Sequence, residues 1–379
     1  MKLLYSTTIV LISIFTLTAV TARAQQNEDL LNVLIKKGVV TQQEADSIRS
    51  DQAIKAQKKL EDDKKNQHGI YIGSKALQLS GLVQSEYIGN SQAGVNNSFS
   101  LHRARLDVKG DINSNWNYEV YTEFAATTKL LDAYTTYKIA DFLKVSAGQY
   151  KIAFSLESLI SDSQLEFIDR TQVVNALAAR SGDVIGNQNG RDIGVWVGGN
   201  FAKINGRNLF DYTVALYNGA GYDVTADNNN RKDFAARLGI HPIQNLVISG
   251  DIYRGLGNYG TPAKNQSRNR YGVDGRYTIG GLGLQAEYDH GTDGTIQRDG
   301  WYGQASYFVL PKHLQLAARY DTYDPNLAST TKVRTNYYYY AVNYFFNDWS
   351  KLAVNYIDRH EAVTQVKNNL FEVQLQVTF

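Results

Sequence analysis

The ten residues that end the chain, LFEVQLQVTF at 370–379, place the tightest constraint on its fold. Phe371, Val373, Leu375, Val377 and Phe379 are apolar, and Glu372, Gln374, Gln376 and Thr378 between them are polar. Strict alternation gives a strand one greasy face and one wet face. A soluble sheet edge reads the same way, but here the chain stops on the apolar phase with an aromatic residue. A free-ended apolar strand invites aggregation unless its edge is paired. Pairing the last strand with the first removes the edge. Residues 370–379 are therefore expected to close a membrane β-barrel whose apolar phase meets lipid.

A mean hydropathy of −0.36 looks soluble, yet a barrel hides its lipid face by alternation. Cysteine is absent, which removes any disulfide framework or thiolate metal site. A formal net charge of +2 gives no reason to expect a nucleic-acid partner. The six histidines, His68, His102, His241, His290, His313 and His360, have no metal-ligand spacing. No cofactor is expected.

The amino terminus reads as an export signal. Lys2 supplies the positive charge, residues 3–20 are largely apolar, and Ala22-Arg23-Ala24 is an A-x-A cleavage pattern. Residues 1–24 are thus a signal peptide and the mature chain starts at Gln25. The alternative, a retained membrane anchor, fits the small-residue site poorly. No later stretch has the length of a membrane helix. Export without a second helix leaves the periplasm or an outer-membrane barrel.

Residues 28–65, within a segment at 25–75, have helical composition. Leu30, Leu31, Leu34 and Ile35 make a helical stripe before Gly38, and Thr41-Gln42-Gln43-Glu44 is a capping-box pattern. Either this is a periplasmic hairpin or coiled coil that helps trimerise the protein or touches the cell wall, or it is a solvated spacer.

From residue 76 onward, alternating segments are separated by turns of unequal length. Ala104, Leu106 and Val108 alternate with Arg103, Arg105, Asp107 and Lys109. Asn113-Ser114-Asn115 is a tight turn into Trp116, Tyr118 and Val120, opposed by Asn117, Glu119 and Glu123. Further strands fall around 131–139, 143–147, 193–201, 210–217, 234–240, 246–253, 271–279, 282–288, 301–309, 314–320, 337–346 and 352–357. Gly280-Gly281 reads as a hairpin turn and not as a phosphate loop. With the first and last strands the count is about sixteen, in an all-β antiparallel barrel over residues 76–379. Trp116, Tyr118, Tyr137, Trp301, the run Tyr337 to Tyr340, and Trp349 are expected in the aromatic girdles. Residues 151–190 break the alternation. Ser163-Gln164-Leu165-Glu166 reads there as a capping box, followed by helix-like apolar content. A loop that long is functional or disordered; this one is either folded into the barrel or an ordinary surface lid.

Several stretches resemble the phosphate-selective porin O and P family of Gram-negative bacteria. They are FSLHRARLDVKG at 99–110, LDAY at 131–134, VSAGQYKIAF at 145–154, LEFIDR at 165–170, RDIGV at 191–195 and YNG at 217–219. The resemblance implies a trimeric, sixteen-stranded, passive and often anion-preferring channel of the outer membrane. Its arginines would stand in the pore wall, and a loop after the fifth strand would narrow it. Arg103 and Arg105 match an arginine-bearing motif, and Lys151 matches the basic position after the fifth strand. Lys109 lies in the same inward phase as the two arginines. By period two these side chains face the lumen, opposite inward carboxylates Glu119, Glu123 and Asp132 that are their possible salt-bridge partners. Lysines and arginines nearly balance acids over 76–379, so strict phosphate specificity is not expected. The implied partners are outer-membrane lipid and lipopolysaccharide, the barrel assembly machinery, and small anionic solutes. Phe379 is expected to matter for assembly.

No catalytic residue is assigned. Asp289-His290 is an Asp–His pair, but adjacent strand residues point to opposite faces. The competing functional class is a plugged or narrow barrel with a structural or adhesive role.

Overall fold

The computed structural model describes residues 77–379 apart from 205, 225 and 332, together with Lys37 and the short strand β1 (Ile70–Tyr71). The expected signal peptide and nearly all of the helical segment at 25–75 lie outside the described residues.

Alternation decides the fold. In the last strand Phe371 and Leu375 are 44% and 47% exposed, while Glu372 and Gln374 are each 2% exposed. The same inversion runs round the molecule. Val120, Val145, Val214, Ile248, Val273 and Leu316 are exposed; Gln84, Asp251, Gln285, Arg319 and Asn355 are buried. A sheet with apolar groups outside and polar groups inside is stable only where lipid surrounds it and its edges are closed.

The first half of the barrel is built from β2 (Gln78–Asn90), β3 (Ser98–Asp111), β4 (Trp116–Glu123), β5 (Lys129–Ala140), β6 (Leu143–Lys151), β7 (Arg191–Ile204), β8 (Arg207–Tyr217) and β9 (Asp233–Ile240). The second half comprises β10 (Leu246–Tyr259), β11 (Lys264–Ile279), β12 (Leu282–Asp293), β13 (Ile296–Leu310), β14 (Leu314–Asp324), β15 (Thr335–Asn347), β16 (Ser350–Glu361) and β17 (Leu370–Thr378). Each pairs antiparallel with the next, and β17 returns to β2 in a ladder from Leu370↔Asn90 to Thr378↔Leu82. The result is a closed sixteen-stranded antiparallel barrel, β2 to β17. Strand β1 pairs with β2 at Leu79 and Gln78, just beyond the end of β17.

Turns on the rim that holds Gln78 and Phe379 are short, at 141–142, 205–206, 280–281 and 348–349. Gly280 and Gly281 have φ of 54° and 86°, as a two-residue hairpin turn of the twist-compatible kind requires. The opposite rim carries the long connections 152–190 and 218–232.

Several strands outrun their sequence signal. The expected 246–253 is Leu246–Tyr259, and 271–279 is Lys264–Ile279. Toward the long-loop rim the outward face turns polar, so alternation fades while the backbone ladder continues. The tyrosine run also divides. Tyr338 and Tyr340 face out, but Tyr339 is buried and packs on Phe167 at 5.8 Å between centroids. A run of four cannot share one face of a strand. Other girdle residues pair as ring clusters, Trp116 with Tyr137 at 4.8 Å and Trp301 with Tyr320 at 5.1 Å.

Candidate functional site

The connection 152–190 enters the barrel. It contains α1 (Leu156–Leu159), a 3-10 turn (Asp162–Gln164) and α2 (Gln172–Leu177). Ser155 caps α1, its side chain accepting from the Ser158 N–H. The capping box read at 163–166 does not form. Ser163 Oγ bonds Ser161 Oγ at 3.1 Å, and the Glu166 carboxylate accepts from Gln304 of β13 at 2.7 Å. A wall partner outcompetes the local one, so the helix begins later, after Thr171.

Apolar and charged contacts both hold the loop. Val173, Val174 and Leu177 are fully buried with Phe154, Tyr217, Tyr253 and Tyr302. Gly300 on β13 makes room for α2: a Cβ there would stand 2.9 Å from Val173 Cβ. All three buried loop acids meet wall arginines. Asp162 takes Arg105 at 2.5 Å and Arg103 at 3.5 Å; Glu157 takes Arg319 at 2.7 Å; Asp183 takes Arg268 at 2.7 Å. Wall acids in turn accept loop N–H groups, Asp251 from Ser155 at 3.1 Å, Glu287 from Glu157 at 3.0 Å and Asp321 from Gln172 at 2.8 Å. Lys351 donates to the Leu165 carbonyl at 2.8 Å. Paired burial of this kind is costly to break from one side, because it strands the other charge.

Burial alone would raise the Asp162 carboxyl, but Arg103, Arg170, Arg105 and Arg180 together hold it well below the usual carboxylate range. Asp183 is likewise lowered against its burial by Arg268 and Arg270.

These ties attach the loop to β10–β17 and to β2–β3. On the side of β4–β9 the loop meets β8, where the Ala153 N–H donates to the Tyr217 hydroxyl at 3.1 Å, and beside that contact a gap remains. It is a cavity of about 270 Å³ between Ala153 and Leu159 of the loop and Glu119, Tyr134, Trp196, Thr213 and Arg237 of the wall, with Lys151 at its side.

The residues singled out from sequence fall into three groups. Arg103 and Arg105 point inward but lie under the loop: Arg105 also pairs with Glu123 at 2.6 Å and Arg103 donates to Gln84 at 2.7 Å. Their partner from the loop, Asp162, carried no local signal. Of the three carboxylates expected opposite them only Glu123 pairs with an arginine of β3. Asp132 is held by Arg191 at 2.7 and 2.9 Å, and Glu119 accepts the Tyr134 hydroxyl at 2.7 Å. Lys109 pairs with Asp107 at 2.9 Å. Lys151 lines the gap, its ammonium donating to the carbonyls of Leu159 and Ile160 at 2.8 and 3.1 Å. Glu157, Arg191, Arg319 and Trp196 escaped the sequence reading. Trp196 and Arg319 sit on strand phases that mark them as inward, but nothing local tells which inward side chain the loop covers. Arg191 is the first residue of β7 and Glu157 lies in the loop, so neither is marked by a strand phase.

Among the described residues no three His, Cys, Asp or Glu side chains group as a metal set. Asp289 is fully buried inside, whereas His290 stacks outside on Tyr271 at 4.8 Å, so the two do not converge.

The barrel has solved counterparts. One is an anion-selective porin from Comamonas acidovorans, with a TM-score of 0.60 and 13% identity, covering 80% of this chain and 99% of that one. Another is the outer membrane channel DcaP of Acinetobacter baumannii, at 0.59 and 13%, covering 82% and 100%. A third is the outer membrane protein OmpT of Vibrio cholerae in its trimer form, at 0.58 and 14%, covering 80% and 99%. Likeness at such identities establishes the fold alone. None of the curated proteins compared matches the sequence. The model of the family phosphate-selective porin O and P, however, matches residues 82–379, nearly the whole barrel, and the chain therefore belongs to that porin family of outer-membrane channels.

Proposed function

We propose that the protein is a passive diffusion channel for small hydrophilic solutes, narrowed by the loop at 151–190 and modestly anion-preferring. One observation carries this reading: the loop is fastened chiefly to β10–β17 and β2–β3 and leaves a gap of about 270 Å³ beside β4–β9, where Glu119, Lys151 and Arg237 stand among aromatic side chains. The gap is bordered by Lys151, whose ammonium has carbonyl partners and, among the described residues, no carboxylate in its hydrogen bonds. Fields from such groups are focused by low-dielectric walls. Glu119 in the same gap limits the preference, which argues for modest selectivity over strict phosphate specificity. Arg103 and Arg105 act in this reading first as anchors of the loop.

The signal peptide, cleavage before Gln25, a homotrimer, and contact with lipopolysaccharide and the assembly machinery belong to the same proposal. The Vibrio cholerae neighbour is described in trimer form, which supports the homotrimer. The test is ion conductance of the purified protein in planar bilayers, with the reversal potential in a salt gradient. A stable conductance with a small anion preference is expected. Absence of conductance would favour the plugged-barrel reading, and a firm cation preference would remove the role given to Lys151.

A further inference from the structure

Resting on the channel reading, we propose that the gap beside the loop is a carbohydrate-binding shelf on the solute path. The shelf itself is Trp196. Gly198 lies two residues on, on the same face of β7, and a Cβ built there would stand 2.8 Å from Trp196 Cζ3 and 3.2 Å from Cε3. The missing Cβ makes room for the indole beside Gly198 on the wall. Tyr150 meets that indole nearly edge-on, at 6.2 Å and 66°, and Tyr134 meets Tyr150 at 5.9 Å and 64°. Trp196 and Tyr134 each meet Tyr150 and make no ring contact with each other among the described residues. Both residues are only partly buried and both line the cavity.

Polar groups of both kinds surround these rings. Lys151 uses its ammonium on two carbonyls and retains a third donor hydrogen. Glu119 receives the Tyr134 hydroxyl on one oxygen and keeps acceptor capacity on the other. Thr213 stands opposite Gly198 in the ladder and supplies a hydroxyl. The remaining charges at the cavity are neutralised, Asp132 by Arg191 and Arg237 by Asp251 and Asp274.

A flat apolar surface with donors and acceptors at its rim, and little net charge, matches a pyranose ring. Its C–H face packs on an aromatic ring while its hydroxyls both give and take hydrogen bonds. An anion trap would show several unpaired cations, and an apolar trap would lack Glu119 and Lys151. The cavity of about 270 Å³ lies just under the range typical of drug-sized ligands, so one sugar ring suits it.

The experiment is single-channel recording of the full-length protein with glucose, mannitol or benzoate added as probes. Glucose should lower the current saturably. Mannitol, which is acyclic and has no flat ring face, should lower it only in proportion to viscosity. Trp196→Ala should weaken the glucose half-saturation about tenfold, the order expected for losing about 1.4 kcal/mol of stacking. Trp196→Phe should retain most of the effect, and Thr213→Val, which keeps shape and loses the hydroxyl, should weaken it severalfold. Equal effects of glucose and mannitol would overturn the proposal. So would a glucose effect indifferent to both Trp196→Ala and Thr213→Val, or saturable block by benzoate but not by glucose. A folded protein with no current at all would instead defeat the channel reading beneath it.

Discussion

Phe379 closes the barrel on Gly81. The two residues exchange both backbone hydrogen bonds, at 2.7 and 3.1 Å, one step beyond the last residue of β17. The terminal ring covers the glycine, and a Cβ at position 81 would stand 2.3 Å from Phe379 Cζ. A glycine shielded by a cross-strand aromatic ring pins the register at the seam.

Removing Phe379, or changing Gly81→Leu, should therefore lower the folded fraction. Deleting residues 28–65 should lower it less. Heat-modifiable migration on gels reports the folded barrel. Equal folded fractions in all three variants would remove the seam from the account.

Arg319→Met should free the loop without opening the barrel. It leaves the fully buried Glu157 carboxylate without its cation, a loss of about 3–5 kcal/mol. The expected result is normal heat-modifiable migration with faster proteolysis within 152–190 and a larger, noisier current. Unchanged proteolysis would mean that the pair does not hold the loop.

The anchoring by Asp162 has a defined pH window. Its carboxyl is held well below the ordinary range, so it binds protons less readily folded than unfolded. Its contribution is complete above the unfolded value of about 3.9 and is lost as pH falls through the lower folded value. The stability difference between the wild type and Asp162→Asn should hold constant from pH 7 to 5 and shrink below about pH 4. Denaturation in detergent at a series of pH values measures it. A difference that disappears already near pH 6 would contradict the assigned cause.

Selectivity should answer to Lys151 more than to the β3 arginines. Lys151→Gln should move the reversal potential toward cations, most at low salt, where the Debye length exceeds about 10 Å. Arg103→Gln, tied to Gln84 and Asp162 beneath the loop, should move it less. The opposite order would return the arginines to the pore wall as its selective charges.

The barrel was legible because its alternation is local: every second residue of β17 declares its face. Strand ends were less so, since β10 and β11 run on past the membrane-facing pattern. The loop was visible only as a break in rhythm. Its internal structure depends on partners far along the chain, as when Gln304 claims Glu166 and cancels a capping box, or Arg319 meets Glu157. The inward phase of Arg103 and Arg105 could be read from β3 itself, but their burial by Asp162 could not. Trp196 was hidden for the same reason. Its orientation over Gly198 is a matter of wall packing, which a strand pattern does not encode.

The central claim is that an open channel is narrowed by the loop clamped against one side of the barrel. Its most direct measurement is the single-channel conductance of the wild type beside a variant in which 155–186 is replaced by a short Gly/Ser linker, with barrel folding verified by heat-modifiable migration. The account predicts a finite wild-type conductance and a severalfold larger one without the loop. A wild type that carries no current, or a loop-less barrel whose conductance is unchanged, would contradict it.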